Sequence, residues 1–529
     1  MSHRQILQAM SGLMIAMFVA MLSSTIVSNA LPRIVEELHG SQTGYTWIAA
    51  STLLTMTAAT PIWGKLADLF SKKMLMQSAL VIYVVASMVA GLSHSMGMLI
   101  GARAVQGIGV GGVMAMVQIC MAAMVSPRER GKYSGYIGAT FALATVLGPL
   151  VGGVLVDSVS WRACFYVGAP IAVIALVVLQ ATLHLATNRE REVHIDYLGA
   201  FFIIGGVSCL LIWVTLAGAN FDWVSWQSAV MVIGGLVLLA IATFVEAKVA
   251  RQPIIPLNLF RDSTVSLATV ASIFIGFAMM GATYYVSEYF QDSRGMSPTK
   301  AGLMSICMVG GLMFSSVVIG RIITNTGRWK KWLFLGSILV VIGLGLLGFI
   351  DGTTNRAVIG IFLVILGLGL GATNQNLVLA VQNNAAPEIV GSATATVSFF
   401  RSLGGAIGVS ALGAVLNSQV QSRLSDGVPN LVKAGRITAD QAGALGSGLV
   451  PDVHRMAPPL ADLFERSFGT ATGHLFLIAT PFAVLAFLAI IFIKEVPLRT
   501  SLKNLEDPEI APDAAAELEL GGALDGQGR

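Results

Sequence analysis

The chain has 529 residues, of which 55% are hydrophobic and only 11% are charged, and its formal net charge is +4. Soluble domains carry about a quarter of charged residues, so this composition excludes an ordinary soluble enzyme or binding module. Apolar segments of about 20 residues, long enough to cross the hydrocarbon core of a bilayer, recur along the chain. We therefore expect an all-α, polytopic membrane protein.

Fourteen membrane spans are predicted, and the first is not a cleaved signal peptide. It is long enough to span, has no small-x-small cleavage site and is followed by a second span after a short loop. Lys and Arg concentrate in the even-numbered loops, so the positive-inside rule places both termini in the cytoplasm. The predicted spans cover residues 9–31, 44–63, 75–93, 98–124, 134–156, 163–184, 197–216, 227–247, 264–290, 300–323, 331–350, 357–382, 392–416 and 471–494.

These spans are predicted to form two six-helix bundles and an extra central pair. The N-terminal bundle covers residues 1–190, two extra transmembrane helices cover 191–250, and the C-terminal bundle covers 251–497. The loop "GKLADLFSKK" (64–73) is echoed by "GRIITNTGRWKK" (320–331). This echo favours two parallel six-helix repeats around a site near the membrane midplane.

Two segments are too polar to be spans. Residues 417–470 are predicted to form a long outer loop, in which "PPLADLFERSF" is compatible with an interfacial helix. Residues 498–529 are rich in Ala, Gly and acidic residues, so we expect a disordered, acidic cytoplasmic tail.

Three motifs that contain glycine lie at or inside the spans. They are "GKLADLFSKK" after span two, "LIGARAVQGIGVGG" in span four and "ATVLGPLVGGVL" in span five. Together they resemble the fourteen-spanner drug:proton antiporter branch of the major facilitator superfamily, of the EmrB/QacA type. The residues that match are Gly64, Asp68, Arg103, Gln106, Gly107, Gly148, Pro149, Gly152 and Gly153.

The resemblance implies a major facilitator fold that works by alternating access. It also implies that Asp68, beside Lys72 and Lys73, forms an ion-pair latch at the inner gate. The alternative is that Asp68 is simply a solvated charge at a helix end.

The glycines of span five are expected to act in packing and conformational change, and packing alone is the alternative. Gly148 and Gly152 form a small-xxx-small face for close helix approach. The Gly148-Pro149 step removes a backbone hydrogen bond and permits a bend. Gly153 belongs to the same motif, which in the family accompanies export rather than uptake.

The proton carrier is the main departure from the family. The family has an aspartate in span one where "LSSTIVSNALP" has Ser23, and serine carries no proton in the physiological range. Intramembrane charges are costly and mark functional sites by default. We hypothesise that Glu288, near the outer end of span nine, is the protonatable partner of Arg103; a Glu288 that snorkels to the lipid surface is the alternative. Arg401 in span thirteen is a further intramembrane charge without an assigned role.

The resemblance assigns spans one, four, nine and twelve to the central cavity. Interhelical hydrogen bonding is the alternative role for the polar cluster of span twelve. The candidate cavity or substrate contacts are Ser23, Gln106, Asn374, Gln375 and Asn376.

Span one also carries a methionine face, opposite Ser23. Since the family directs the Ser23 position inward, we expect this face to pack or to contact lipid. Its residues are Met10, Met14, Met17 and Met21.

The sequence therefore predicts a plasma-membrane multidrug exporter, acting as a monomer, of amphipathic small molecules that are cationic or neutral, with protons as the coupling ion. The alternative is an exporter of an endogenous product, such as an antibiotic, lipid or siderophore, with weaker coupling. A channel and a membrane enzyme are the alternatives from other functional classes. We expect no cofactor, no metal and no nucleic acid as a partner. The sequence has no phosphate-binding loop for ATP, and "GIGVGG" follows no strand, as a dinucleotide-binding site would require. The four cysteines do not show the spacing of metal ligands.

Overall fold

The computed structural model describes residues 3–38, 42–185, 196–218, 221–438 and 458–499. Within these ranges the chain is helical with short connections, and it contains no strand apart from one isolated bridge. The helices are α1 (His3–Glu37), α2 (Gln42–Leu69), α3 (Lys72–Gly91), α4 (Met96–Met124), α5 (Pro127–Ser158), α6 (Ala163–Tyr166), α7 (Gly168–Thr182), α8 (Tyr197–Leu216), α9 (Trp226–Lys248), α10 (Ser263–Glu288), α11 (Pro298–Thr326), α12 (Lys330–Leu347), α13 (Arg356–Asn384), α14 (Val390–Lys433) and α15 (Pro458–Phe492).

Helix starts carry the capping residues that the sequence favours. Asp196 begins α8 by accepting a hydrogen bond from the backbone N–H of Gly199, and Asp262 begins α10 by accepting two. Such side chains satisfy backbone donors that the first helical turn leaves unpaired. Gly327, with φ of 72°, ends α11 in the left-handed region that glycine tolerates.

Thirteen helical segments of the described chain are long and apolar enough to cross a membrane. In this set α6 and α7 form one segment, and α2, although 28 residues long, is not included. The expectation of an all-helical membrane protein is thus confirmed, with thirteen or fourteen apolar helices.

Each half of the molecule has its own apolar core. In the first half, α1, α3, α4 and α7 bury side chains such as Leu13, Tyr83 and Met116. In the second half, α10 to α15 enclose a larger core that includes Trp329 and Phe476. Since the two cores are separate, the halves can move against each other without disrupting either.

The extra pair, α8 and α9, packs beside the place where the two halves meet. Val207 and Leu211 of α8 lie in one apolar cluster with Phe399 and Ala406 of α14, and Leu54 of α2 packs against that cluster. The pair therefore covers the contact between α2 and α14.

The chain that follows α15 lies against the end of α13 and the start of α5. The backbone N–H of Arg499 donates to the Asn383 side chain at the end of α13 (3.0 Å), and its backbone oxygen accepts from the N–H of Arg128 (3.3 Å). We call this side the terminal face and the other side the opposite face.

The predicted outer loop over 417–470 is wrong at both ends. Helix α14 continues to Lys433 and α15 begins at Pro458, so only the segment between them remains as a connection. The extension looks polar, yet Val420 is buried, and the space beside Gly427 is filled by Leu463 of α15. Residues 439–457, and residues 500–529 of the predicted tail, lie outside the described residues.

Candidate functional site

A cavity of about 120 Å³ lies between the two halves. Its walls come from α1, α2, α4 and α5 of the first half and from α10, α11, α13 and α14 of the second. Methionine side chains supply much of the apolar wall, and methionine adapts readily to ligands of different shape. The methionines that line it are Met17, Met21, Met56, Met114, Met279 and Met280.

Two of the four methionines on the methionine face of α1 line the cavity, contrary to the expectation from the sequence, whereas Met10 is buried in the core of the first half and Met14 packs against that core, as expected. Met17 and Met21 line the cavity, whereas Ser23 is buried inside the first half. The two faces of α1 do point in different directions, as their helical spacing requires. The inference failed because the family's orientation of the Ser23 position was carried over to this chain.

Arg401 brings a positive charge to the cavity wall. Its Nη1 donates to the side-chain oxygen of Asn374 (2.5 Å) and, at 3.3 Å, to the Asn374 backbone oxygen. Gly276 of α10 lets the backbone of α14 approach at this level, since a Cβ there would lie 2.0 Å from the Arg401 carbonyl oxygen. Arg401 is therefore held in place by α13 and α10.

The polar cluster of α13 divides between two roles. Asn374 and Gln375 line the cavity, and Gln375 accepts a hydrogen bond from Gln118 of α4 (3.0 Å), which joins the two halves. Asn376 is buried and donates to the Ala372 backbone oxygen of its own helix (2.6 Å). Asn376 is not among the cavity-lining residues.

The other predicted cavity residues, Ser23 and Gln106, belong to a buried network of the first half. Gln106 donates to the hydroxyls of Ser23 (3.0 Å) and Ser87 (2.7 Å) and accepts from Arg103 (2.6 Å). Arg103 also donates to the backbone oxygen of Ile48 at 3.3 Å. None of Ser23, Arg103 and Gln106 is among the residues that line the cavity.

The predicted pairing of Glu288 with Arg103 is wrong in this conformation. Arg103 uses its donors within the first half, whereas Glu288 ends α10 in the second half. The hypothesis rested on both residues being intramembrane charges, and this property does not show which half of the molecule each helix belongs to. Among the described residues, the half-buried Glu288 carboxylate makes neither a hydrogen bond nor an ion pair.

Asp68 holds the two halves together at the terminal face. Its carboxylate accepts from the backbone N–H groups of Gly391 and Ser392 (both 2.8 Å) and from the Ser392 hydroxyl (2.6 Å). These donors form the first turn of α14, where unpaired N–H groups and the helix dipole favour an anion. Gly64 permits this approach, since a Cβ there would lie 2.1 Å from Ala395.

The latch at Asp68 is therefore of a different kind from the predicted ion pair. The Nζ of Lys73 donates to the backbone oxygen of Gln180 within the first half (2.7 Å). No ion pair to Asp68 from Lys72 or Lys73 occurs in the described chain. A helix N-terminus takes the place of the basic side chain.

A second contact closes the terminal face between α5 and α11. Nε of Arg128 donates to the backbone oxygen of Thr324 (3.1 Å), and its Nη2 donates to that of Asn325 (3.2 Å). Gly131 and Gly320 meet backbone to backbone, since a Cβ on Gly320 would lie 1.9 Å from the Gly131 oxygen.

Arg130, in the first turn of α5, supports the same closure. The buried guanidinium donates to the Gln382 side chain of α13 (2.9 Å) and to the Ala122 backbone oxygen of α4 (2.7 Å). In the sequence, Arg128 and Arg130 stand out only as loop charges that set topology. The available signal was the segment "SPRERG", which places two arginines in the first turn of a helix.

The span-five glycines contact the same half rather than the other half. A Cβ on Gly148 would lie 1.9 Å from Thr25, and one on Gly152 would lie 2.6 Å from the Ile26 backbone oxygen, so both allow α5 to pack on α1. Gly153 has open space beside it, and Pro149 falls within the continuous helix α5. The packing role predicted for Gly148 and Gly152 matches these contacts, whereas Gly153 makes no close approach.

The two faces of the molecule differ in how their hydrogen bonds connect the halves. Hydrogen bonds from Asp68, Gln118, Arg128 and Arg130 connect the halves, and all four residues lie nearer the terminal face. Toward the opposite face, Glu37 accepts from Trp161 (2.7 Å) and Arg162 (2.5 Å) within the first half, and the hydrogen bond from Arg162 is the main cause that lowers the pKa of Glu37. The cavity is thus sealed from the terminal face.

No group of three or more His, Cys, Asp or Glu residues able to hold a metal ion occurs in the part of the chain that the structure describes.

Comparison with known proteins identifies the family. The Major Facilitator Superfamily model matches residues 13–196 and 184–409. The efflux pump dotC of Dothistroma septosporum is 34% identical over 494 residues, which cover 93% of this chain and 84% of that protein. The multidrug transporter protein MdtP of Bacillus subtilis (strain 168) is 32% identical over 529 residues, covering 96% of each chain.

The fold itself is similar to that of a solved transporter. The structure of the proton:xylose symporter XylE bound to 6-bromo-6-deoxy-D-glucose gives a TM-score of 0.60 at 14% identity, covering 96% of this chain and 99% of that chain. At this identity the likeness shows the fold alone. The family match and the efflux and multidrug relatives make the protein a multi-pass membrane transporter rather than an enzyme. The chain belongs to the Major Facilitator Superfamily.

Proposed function

We propose that this protein exports amphipathic small molecules across the plasma membrane in exchange for protons, by alternating access. The observation that carries the proposal is the cavity between two separately packed halves, which the contacts of Asp68, Gln118, Arg128 and Arg130 join on the side of the terminal face. Relatives named as an efflux pump and a multidrug transporter support export.

The proposal includes fourteen spans, with α6 and α7 as one span, cytoplasmic termini and a monomeric transport unit. On this topology the sealed terminal face is the cytoplasmic one. The conformation is then the one in which substrate has left the cytoplasmic side, and opening of the contacts at Asp68 and Arg128 would admit the next molecule.

Proton coupling is proposed to use Glu288. Of the other intramembrane carboxylates, Asp68 is occupied by the first turn of α14, and Glu246 accepts from the backbone N–H groups of Ile254 and Ile255. Glu288 has neither kind of partner within the described ranges, and it lies deeper in the candidate span Ser263–Ser293 than Asp292, the other carboxylate of that span, so we favour Glu288 as the proton carrier.

The test is efflux of a dye panel from proteoliposomes with and without an imposed pH gradient. We expect efflux of at least one dye to rise with the gradient, and Glu288→Gln to abolish that rise while dye binding persists. Asp426→Asn, which removes an exposed carboxylate on the extension of α14, is the matched control and should behave as wild type. Efflux that ignores the gradient removes the antiport claim, and a normal gradient response in Glu288→Gln removes Glu288.

A second candidate is export of an endogenous product with weak or different ion coupling. Ser23 in place of the family's acid favours it, because the usual proton carrier is missing. Gradient-independent efflux, together with accumulation of one cell product when the gene is deleted, would favour this candidate over multidrug export.

A further inference from the structure

The charge of the central cavity suggests which molecules it accepts. Arg401 is the charged residue among the described residues that line it, and carboxylates are absent from that lining. Arg401 lies eleven residues into α14, about 16 Å at 1.5 Å per residue, so that it is deep in the membrane. Burying a cation at this depth without a counter-charge costs free energy, so the position favours the binding of an anion.

The guanidinium keeps donors free for such an anion. Both hydrogen bonds of Arg401 start from Nη1 and go to Asn374. Its Nε and Nη2 have no acceptor among the described residues. Arginine binds carboxylates through two parallel hydrogen bonds, so the unused edge fits a carboxylate or sulfonate group.

A second observation in the same wall is an unpartnered hydroxyl. Ser398, one turn before Arg401 on α14, lines the cavity, and its buried Oγ makes no hydrogen bond. Buried hydroxyl groups usually have a hydrogen-bond partner. A hydroxyl without one, beside guanidinium N–H groups without acceptors, points to a ligand that accepts hydrogen bonds from both groups.

We propose that this cavity selects amphipathic organic anions, whose acidic group binds Arg401 and Ser398 and whose apolar body lies against the methionines. The inference rests on the proposed function, because it names the substrate class of that same cavity. It replaces the sequence-based expectation of cationic or neutral substrates: a cation would meet the charge of Arg401 without any lining carboxylate to offset it.

The test uses three ligands with one apolar body: 4-phenylbutyrate, its neutral amide 4-phenylbutyramide and the cation 4-phenylbutylamine. Dissociation constants come from the ligand-dependent rise in the unfolding temperature of the purified protein in detergent. We expect the carboxylate to bind at least about tenfold more tightly than the amide, as for a hydrogen-bonded charge. The amine should bind most weakly.

Substitutions test whether Arg401 causes the preference for the carboxylate. Arg401→Gln should weaken carboxylate binding about 10- to 100-fold and change amide binding less than about twofold. Arg401→Lys keeps the positive charge but lacks the two parallel N–H donors of the guanidinium, so it should retain part of the preference for the carboxylate. Arg321→Gln removes an exposed positive charge on α11, outside the cavity, and should change none of the three constants.

Equal binding of carboxylate and amide by the wild-type protein overturns the inference. So does an Arg401→Gln variant that weakens all three ligands alike. Should that variant fail to fold, the wild-type series and Arg401→Lys still decide. Dye efflux separates this inference from the proposed function: a protein that prefers the carboxylate but exports nothing refutes the function alone, and an exporter without the preference refutes the inference alone.

Discussion

Asp68 shows how one residue can join two halves that must also separate. Its carboxylate meets three donors of α14, two of them backbone N–H groups that have no partner inside the helix. Hydrogen bonds to a charged group contribute about 1.5–3 kcal/mol, roughly twice those between neutral groups. The contact lies at a helix end, where water can replace both partners on opening.

We predict that Asp68→Asn destabilises the sealed conformation by about 2 kcal/mol, the value of a hydrogen bond to a charged group. The amide lacks the charge that α14 favours and turns an NH2 group toward donors. The unfolding temperature should fall, and in inside-out vesicles Ser402→Cys in the cavity wall should react with an impermeant maleimide about tenfold faster. These experiments require a background without the native cysteines.

Glu36→Gln is the control for Asp68→Asn. Glu36 is also acidic and lies near a helix end, but its ion pair with Arg33 is exposed at 3.9 Å, and exposed pairs contribute about 0–1 kcal/mol. An Asp68→Asn protein that unfolds and labels like wild type would show that the contact with α14 is not a latch.

The direction in which a side chain points was the hardest feature to predict. The sequence assigned Ser23 and Gln106 to the cavity, yet they are hydrogen-bonded to each other inside the first half. It also placed Asn374 and Gln375 near a cavity that they line. The prediction of which face of α1 points to the cavity failed because both faces are compatible with burial. One face carries methionine, and the other carries small and hydroxyl residues. Composition does not decide between two faces that are both buried.

At the scale of helices, the crossing of α5 and α11 depends on two glycines that face each other. Gly131 and Gly320 each occupy a place where a Cβ would meet the backbone of the other helix, at 2.4 and 1.9 Å from the nearest oxygen. Small residues at such crossings let membrane helices approach closely, where packing is the main source of their association. The contact positions Arg128 over the last carbonyls of α11.

We predict that Gly320→Ala lowers the free energy of unfolding by about 1–3 kcal/mol, the usual cost of overpacking. The added methyl group forces α5 and α11 apart and loosens the bonds of Arg128. Thermal unfolding in detergent measures the change. Gly310→Ala on the same helix, where a Cβ meets nothing within 4 Å, is the control and should be neutral or slightly stabilising, since alanine is the better helix former. Equal stability of the two variants would contradict the crossing.

Hydropathy predicted the helices well because burial in lipid requires long apolar runs and satisfied backbone groups. Hydropathy did not predict the helices within 417–470. A helix that extends beyond the membrane becomes more polar there but continues as a helix, so hydropathy marks the end of the span and not the end of the helix. The segment after Leu416 keeps helical spacing of its apolar residues, as Val420 and Leu424 show by packing on the core. Glycine motifs were predictive only in part: Gly148 and Gly152 make close contacts and Gly153 makes none.

For the whole molecule, two of the contacts between halves use helix ends of opposite polarity. At one, the anion Asp68 meets the N-terminus of α14, and at the other, the cation Arg128 meets the C-terminus of α11. Both arrangements are favourable with the helix dipole. Toward the opposite face, Glu37 and Arg162 bond to each other within the first half. Contacts that can open at one face are what a rocking motion between two bundles requires.

We predict that a covalent link across the terminal face stops transport and leaves ligand binding intact. Arg128→Cys and Asn325→Cys, in a background without the native cysteines, would be joined by a reducible thiol-specific linker. Because α5 and α11 belong to different halves, the link holds the cavity closed to that face. Efflux from proteoliposomes should be lost on linking and return on reduction, while ligand-dependent thermal stabilisation persists throughout.

The control link joins Gln77→Cys to Gln180→Cys. These side chains bond to each other at 2.8 Å within the first half, so the link has the same chemistry but restrains no movement between halves. Efflux should continue in this protein. Transport that survives the link between α5 and α11 would mean that substrate passes without opening the terminal face, and alternating access by movement of the two halves would then be wrong. Loss of efflux in both linked proteins would assign the effect to the linker, whereas loss in the first alone assigns it to the contact between halves.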